Sequence, residues 1–346
     1  MGVLVGGIEG GSTSSRIVLV DENCNLLGSA EGPHTNQWLI GIAECVNRLI
    51  TLVDKVLANA GLSPLTTLSH LGLALSGVDT VETQMEVLNA LSNKRHDIAK
   101  HIQICNDSIG TLLTVTDDDG IVLISGTGSI CNMVYRDLTF ERVGGYGYLL
   151  GDGGSAYWIV QNTLQMFLRI YDGLMSWEHD IQQVQEIIYK FFSIEHPSGL
   201  LSHFYTNFSK GKVALLCKNL SDAARKGEPL CTHVFEKAGE ELGHHTKAVL
   251  RRALSRTSSP VNNILVVCCG SVFKSWDLLR NGYHRILEEY NPTLNWKGTV
   301  KLVRLRTTAA FGAARYAVRV SDGIRMPLPP NTTTDLDSVN IPACSN

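Results

Sequence analysis

Val3-Leu4-Val5-Gly6-Gly7-Ile8-Glu9-Gly10-Gly11-Ser12-Thr13 opens the chain, and its reading decides the fold. Val3 to Val5 is an apolar start, Glu9 to Thr13 reads as a glycine turn, and Ser15 to Val20 is β-branched and half alternating, as a half-buried strand requires. Asp21-Glu22-Asn23 turns the chain again, and Asn25 to Ala30 completes a meander. About 115 residues later the pattern returns. Ile121 to Ile124 is apolar, Ser125-Gly126-Thr127-Gly128-Ser129 is a glycine turn, Cys131 to Tyr135 is a strand, and Arg136-Asp137 turns it back. Such recurrence predicts one structural unit used twice with little sequence identity left.

Between the two turns, helix and strand alternate. Leu39 to Ala60 places Ile42, Cys45, Val46, Leu49, Ile50, Val53 and Leu57 at helical spacing, with Gly61 as a stop. Leu71 to Leu75 and His101 to Cys105 read as strands around a helix from Val81 to Leu91. That order predicts a doubly wound α/β domain over residues 1–117. A larger α/β domain is expected over 118–346. Its helices are expected at Ser155–Arg169, His179–Phe192, Val213–Lys226, Cys231–Leu254, Lys274–Leu279 and Ala309–Val318, its further strands at Ile264–Cys269 and Val300–Leu305, and an irregular proline-containing tail from about Met326.

Composition narrows the function classes. At 346 residues, roughly 150 per domain suggests two domains. With 44% apolar and 18% charged residues, a sizeable core is available and a disordered chain is excluded. Lys plus Arg is 30 against 33 Asp plus Glu, so no basic footprint for nucleic acid exists. The nine cysteines are odd in number and form no C-x-x-C pair, which predicts free thiols in a reducing compartment and neither a disulfide framework nor a structural zinc site. No apolar leader precedes the first strand and no apolar run reaches the ~18 residues of a membrane span. A cytoplasmic protein without membrane partners is the expectation.

Two glycine turns, each at the end of an apolar strand, suit phosphate: glycine admits close approach, and successive backbone N–H groups form an anion-binding concavity to which Thr13 and Thr127 add hydroxyls. A plain hairpin uses the same residues, so the pair carries more weight than either. The P-loop pattern, the dinucleotide fingerprint and the protein-kinase H-R-D and D-F-G are absent. Asp107 ends the strand His101 to Asn106. A carboxylate there points into the ligand crevice of an open α/β sheet and can accept an alcohol's proton in phosphoryl transfer. It can equally cap a helix starting at Ser108. Glu9 beside the first turn can hold Mg²⁺ through water or stand solvated. The glycine-dense stretch from Gly144 to Ser155 combines an aromatic, Tyr146, with a carboxylate, Asp152, which suits a sugar ring and its hydroxyls, or makes a mobile loop. Ser155 is a plausible N-cap, Asn36 can cap a helix or bind a polar ligand, and His244-His245, adjacent on a helix, are not read as metal ligands.

Taken together, Gly6 to Thr13, Thr35-Asn36 with Trp38 to Gly41, Asn106-Asp107, Leu123 to Ser129, Gly144 to Ile159 and Cys269 to Trp276 resemble, in order and spacing, the eukaryotic N-acetylglucosamine kinases. These belong to the sugar kinase, heat-shock protein and actin superfamily, and the likeness spans residues 1 to about 320. The resemblance implies an α/β fold of duplicated ribonuclease H-like (actin-like ATPase) domains around a central cleft, a homodimer, and ATP-dependent phosphorylation of the 6-hydroxyl of N-acetylglucosamine in amino-sugar salvage. It implies Gly11, Ser12, Thr13 and Thr127 at the ATP phosphates, and Gly270, Ser271, Ser275 and Ala214 near the adenosine. Asn36, Ser129, Ile130, Gly145, Tyr146, Gly147 and Asp152 would line the sugar, Asp107 would be the base, and Glu9 would serve Mg²⁺.

Three residues depart from that pattern: Ile130 stands for Asn, Tyr146 for Trp and Gly153 for Glu. The first and third motivate a second reading, a nucleotide-binding sensor or inactive kinase-like protein with an altered sugar site. A third, an ATPase driving electron transfer, needs paired cysteines around an iron–sulfur cluster, and Cys131 has no second ligand in view.

Overall fold

A computed structural model describes residues 2–11, 13–256, 263–289 and 296–341. The chain divides into two compact units. Unit 1 comprises 1–122, 134–140 and 305–335, and unit 2 comprises 123–133, 141–304 and 336–346. The division thus differs from a single boundary at 117/118: the segment 305–335 returns to pack with the N-terminal part.

Unit 1 is built on strands β1 (Val5–Gly10), β2 (Ser14–Val20), β3 (Leu26–Pro33), β4 (Leu68–Leu75) and β5 (Ala99–Asn106), in the spatial order β3-β2-β1-β4-β5. The first three form an antiparallel meander, and β1, β4 and β5 run parallel. The remaining strands are β6 (Gly120–Ser125), β7 (Ser129–Val134), β8 (Phe140–Gly144), β9 (Asn263–Cys269), β10 (Gly298–Leu305) and β11 (Thr333–Ile341), in the order β11-β10-β9-β6-β7-β8. Counted from β6, the order is again third, second, first, fourth, fifth, with β11 added at the edge. The duplication expected from the two glycine turns is therefore present in the sheets, and the molecule is α/β with two such units.

β1 runs through Gly6 and Gly7 to Gly10, so Glu9 and Gly10, expected in the turn, belong to the strand. Strand alternation sends Val5, Gly7 and Glu9 to one face, where the helix Ala310–Asp322 lies, and Ile8 to the other, among Leu49, Leu71 and Leu73. A Cβ on Gly7 would sit 1.9 Å from the Ala310 carbonyl oxygen, and one on Gly72 of β4 would sit 1.8 Å from that of Ala313. Glycine here marks helix-to-sheet contact at backbone distance, not a bend.

Other expectations also shift. The helix from Leu39 is broken at Gly41, whose φ of +77° ends one turn (Gln37–Ile40) before Ile42–Asn59 begins. Val213–Lys226 divides into Lys210–Ala214 and Leu216–Arg225. The tail from Met326 is not wholly irregular, because β11 pairs beside β10. Ser155 does cap Ala156–Tyr171, accepting from the Trp158 N–H. No described helix is long and apolar enough to cross a membrane.

Candidate functional site

Unit 1 gathers acidic groups around the carboxyl ends of its parallel strands. Asn106, the last residue of β5, caps the helix Asp107–Leu113 by accepting from the Ser108 N–H at 2.8 Å. The capping role open to Asp107 is thereby filled by its neighbour. The half-buried Asp107 instead accepts a 2.5 Å hydrogen bond at Oδ2 from Ser76, just past the end of β4. Burial pushes the Asp107 carboxyl up to about 6. The Ser76 hydroxyl opposes that rise, the carboxylates of Asp79 and Glu9 add to it, and the Ser108 N–H opposes it again. Asp79 in turn accepts from the Asn106 amide. The Ser76 N–H donates to the Gly10 carbonyl at 2.8 Å, so the strand end bearing the first glycine turn is tied to the residue that holds Asp107.

That turn closes through the Gly11 N–H donating to the Ser14 carbonyl at 3.1 Å, and Thr13 is exposed. Ser12, expected at the phosphates, lies outside the described residues. Glu9, facing the Ala310–Asp322 helix, accepts at Oε2 from the Thr308 hydroxyl and from the Ala309 N–H at 3.1 Å. It therefore satisfies donors at that helix start, and among the described residues no hydrogen bond engages Oε1. A single monodentate oxygen fits Mg²⁺, which keeps most of its waters and takes one or two carboxylates plus phosphate.

Asn36 caps the short helix Gln37–Ile40 by accepting from the Trp38 N–H at 3.0 Å. Its neighbour Thr35 is buried, bonded to Ser15 at 2.9 Å, and packs against Gly10. Trp38 donates through Nε1 to the Gly77 carbonyl at 2.9 Å. Asn36 is thus tied on one side to the strand end at Gly10 and on the other to the Ser76-Gly77 corner.

Unit 2 builds a different site around the second turn. The Gly126 N–H donates to the Gly128 carbonyl at 2.9 Å, and the Gly126 carbonyl accepts from the Ala156 N–H at 2.8 Å. Ser125 and Ser129 donate their hydroxyls to the carbonyls of Gly154 and Gly153, at 2.8 and 2.7 Å. These bonds pin the glycine-rich loop to both ends of the Gly126–Gly128 turn. Ser129 is buried with its proton committed to Gly153. Asp152 is buried with a left-handed φ of +57°, a conformation that costs a non-glycine residue energy and that the surrounding bonds hold in place. Its Oδ2 pairs with Lys210 Nζ at 2.8 Å. A Cβ on Gly128 would lie 2.8 Å from Asp152 Oδ2 and 3.1 Å from Lys210 Nζ, so the turn, the carboxylate and the ammonium share one spot.

The departures from the family pattern acquire surroundings. Ile130 packs its side chain on Gly145, whose φ is +72°. Beside Gly153 stands Glu241 of the helix Pro229–Arg256: an added Cβ would meet its Oε2 at 2.5 Å. Tyr146 is exposed, with the Arg142 guanidinium 4.8 Å from its ring centre, and Gly147 has a φ of +84°. After β9, Gly270 (φ +103°) approaches the Ser125 carbonyl so closely that a Cβ would lie 2.1 Å away. Ser271 is exposed, whereas Ser275 and Ala214 are buried. His245 of the adjacent histidine pair hydrogen-bonds through Nδ1 to the Glu241 carbonyl at 2.7 Å and packs by Gly144. Cys131 is fully buried and burial pushes its thiol up, away from the thiolate that iron ligation needs.

Ser76, Asp79, Lys210, Thr308 and Glu241 were not singled out in the sequence. Each reaches its partner over dozens to hundreds of residues, a distance that no local spacing encodes.

A model of a known family matches residues 7–317. The chain belongs to the BadF/BadG/BcrA/BcrD ATPase family. Within reach of this ATPase family, the chain is 26% identical over 315 residues to an N-acetylmuramic acid/N-acetylglucosamine kinase of Clostridium acetobutylicum, covering 90% of this chain and 97% of the relative. It is 31% identical over 175 residues to an N-acetyl-D-glucosamine kinase of Dictyostelium discoideum, covering 48% of this chain and 54% of the relative. These relatives are bacterial over nearly the full length and eukaryotic over about half, so they do not single out the eukaryotic branch. Among solved structures, a candidate N-acetylglucosamine kinase from Chromobacterium violaceum aligns with a TM-score of 0.68 at 24% identity, over 90% of this chain and 98% of the other. A ROK family glucokinase from Streptomyces griseus, solved with glucose and AMPPNP, gives 0.52 at 15% identity, over 91% and 99%. At these identities the likeness establishes the fold of this BadF/BadG/BcrA/BcrD ATPase, not its substrate.

Proposed function

We propose that the protein is an ATP-dependent sugar kinase that transfers the γ-phosphoryl group to the 6-hydroxyl of N-acetylglucosamine, acting as a soluble cytoplasmic homodimer in amino-sugar salvage. The observation that carries the proposal is Asp107, freed from helix capping, oriented by Ser76, and raised to about 6. The kinases named among the relatives support the same choice of reaction.

Asp107 accepts the proton of the attacking hydroxyl as the new P–O bond forms. With a pKa of about 6 it is about nine-tenths ionised at pH 7, yet more basic than an ordinary aspartate. The turns at Gly11–Thr13 and Gly126–Gly128 offer backbone N–H groups and the Thr13 and Thr127 hydroxyls to phosphate oxygens. Gly270, Ser271, Ser275 and Ala214 are assigned to the adenosine. Mg²⁺, held through water at Glu9 Oε1, would neutralise phosphate charge. The sugar is assigned to Asn36, Ser129, Ile130, Gly145, Tyr146, Gly147 and Asp152. Asp152 keeps Oδ1 for sugar hydroxyls while Lys210 holds Oδ2, and Glu241 supplies a carboxylate beside Gly153.

One observation favours the sensor reading: Ile130 turns an apolar side chain onto Gly145, and a buried sugar hydroxyl left unmet there costs about 1–3 kcal/mol. ADP release with a panel of N-acetylglucosamine, N-acetylmannosamine, glucose and a muramyl sugar decides. Turnover of N-acetylglucosamine, lost about 10²–10⁴-fold in Asp107→Asn with ATP affinity kept, supports the kinase. ATP binding without ADP release on any sugar supports the sensor. Equal turnover in both proteins would remove Asp107 from the mechanism.

A further inference from the structure

The opposite end of unit 1's sheet carries a second cluster that the kinase reading does not use. In the parallel register of β4 and β5, His70 lies directly beside His101. Alternation places His70, Gly72 and Ala74 on the face covered by the helix Ala310–Asp322, and His101 and Gln103 share that face, since the Gln103 amide donates to Ser321 at 3.2 Å. The last residue of that helix is Asp322, fixed there because Gly323 ends the helix in a left-handed conformation at φ +71°. One ligand atom from each of His70, His101 and Asp322 lies within 4.8 Å of the other two.

His70 is the informative member. It is only 6% exposed, yet neither ring nitrogen has an aligned hydrogen-bond partner among the described residues. Nε2 stands 3.1 Å from Asp322 Oδ2, close enough for attraction but off the line of an N–H bond. A buried imidazole without a partner is costly, and most such groups are satisfied by protein, water or an ion. The His101 ring stacks over it, with centroids 5.0 Å apart, so a second imidazole and a carboxylate converge on the same nitrogen-lined spot.

We propose that His70, His101 and Asp322 bind a divalent first-row transition metal ion of the zinc class. Two imidazoles and one carboxylate are a nitrogen–oxygen donor set that favours zinc over magnesium or calcium. Three protein ligands leave a fourth, water-filled position on a tetrahedral ion. Ligands on such an ion, each about 2.0–2.1 Å from it, stand about 3.3 Å apart. His101 and Asp322 are exposed enough to close the remaining gap by side-chain rotation, while His70 stays fixed by burial. A cation there also faces the negative end of the helix dipole. Asp107 lies six residues beyond His101, ~20 Å along the strand at ~3.3 Å per residue, so the ion is separate from the phosphoryl-transfer groups. It clamps the end of the helix Ala310–Asp322 to β4 and β5. Because only the folded chain assembles the three ligands, binding raises stability with metal concentration.

The test titrates Zn²⁺ into the metal-free full chain without nucleotide, followed by calorimetry and thermal unfolding, with Co²⁺ absorption as a ligand fingerprint. One ion per chain, a raised Tm and a Co²⁺ spectrum without a thiolate charge-transfer band are expected. His101→Ala, at an exposed strand position, should weaken binding about tenfold or more and abolish the Tm rise, with Asp322→Asn acting in the same direction. Wild-type Zn²⁺ affinity in both folded variants, a thiolate band, or no binding at millimolar Zn²⁺ would each overturn the site.

Discussion

The turn between β1 and β2 and the turn between β6 and β7 hold the same place in their sheets, yet they keep different company. Beside Gly10 and Gly11 stand carboxylates: Glu9, Asp79 and Asp107, moderated by hydroxyls, backbone N–H groups and the Asn106 amide. Beside Gly126 and Gly128 stands an ion pair of half-buried Lys210 with buried Asp152, the latter in a loop pinned by two serine hydroxyls. The duplicated element is therefore a backbone turn closed by its own glycine N–H at the same place in each sheet. What each copy does is set by side chains delivered from elsewhere in the chain. The first copy concentrates negative charge and raises a base. The second holds one carboxylate rigid and partly neutralised.

The largest expected contrast comes from removing one charge in each neighbourhood. Asp107→Asn should cost activity, about 10²–10⁴-fold in kcat, with little change in stability, because an uncharged amide suits a site whose burial already disfavours the charge. Lys210→Met should do the reverse first. It leaves Asp152 buried without its cation, and about 3 kcal/mol of unfolding free energy in urea is expected to go, the lower end of the buried-pair range since Lys210 is 30% exposed. A loss of activity in Lys210→Met without loss of stability would move Lys210 from a supporting role to direct contact with substrate.

Next in size is Ile130→Asn, which restores an amide facing the loop at Gly145. Sugar KM should fall about tenfold, the worth of one regained hydrogen bond to a buried hydroxyl, with ATP KM unchanged. An unchanged sugar KM would place position 130 outside the sugar site. Smallest is Glu9→Gln, which weakens the acceptor for Thr308 and Ala309. About 1 kcal/mol of stability should be lost, as for a helix-start acceptor, together with a raised Mg²⁺ requirement. An unaltered Mg²⁺ dependence would leave Glu9 as a purely structural residue.

Much of this architecture was legible in the sequence because glycine turns, β-branched runs and helical spacing are local signals. The recurrence of the first turn at Ser125–Ser129 pointed to the duplicated sheet order, and the Ser155 cap was visible from one residue type before an apolar helix. The end of β1 was less legible: Glu9 and Gly10 read as the start of the glycine turn, yet both belong to the strand. The return of Ala310–Asp322 to unit 1 left no local trace, since small residues such as Ala310 and Ala314 show their purpose only against Gly7 and Gly72. β11 hid behind prolines, and β8 is half-buried throughout, without the contrast that alternation needs. Asp107 was found from its place at a strand end, but Ser76, which orients it, and Glu241, which stands beside Gly153, depend on contacts that spacing cannot encode.

The most direct measurement is the pH dependence of kcat/KM for N-acetylglucosamine, which reports the free enzyme's ionisations. Burial raises the folded pKa of Asp107 to about 6 from an ordinary value of 3.8, so the ionised, proton-accepting form is lost as pH falls through 6. The account requires an acid limb centred near 6, steepening to about tenfold per pH unit below it. Activity that stays flat down to the ordinary aspartate range would contradict it.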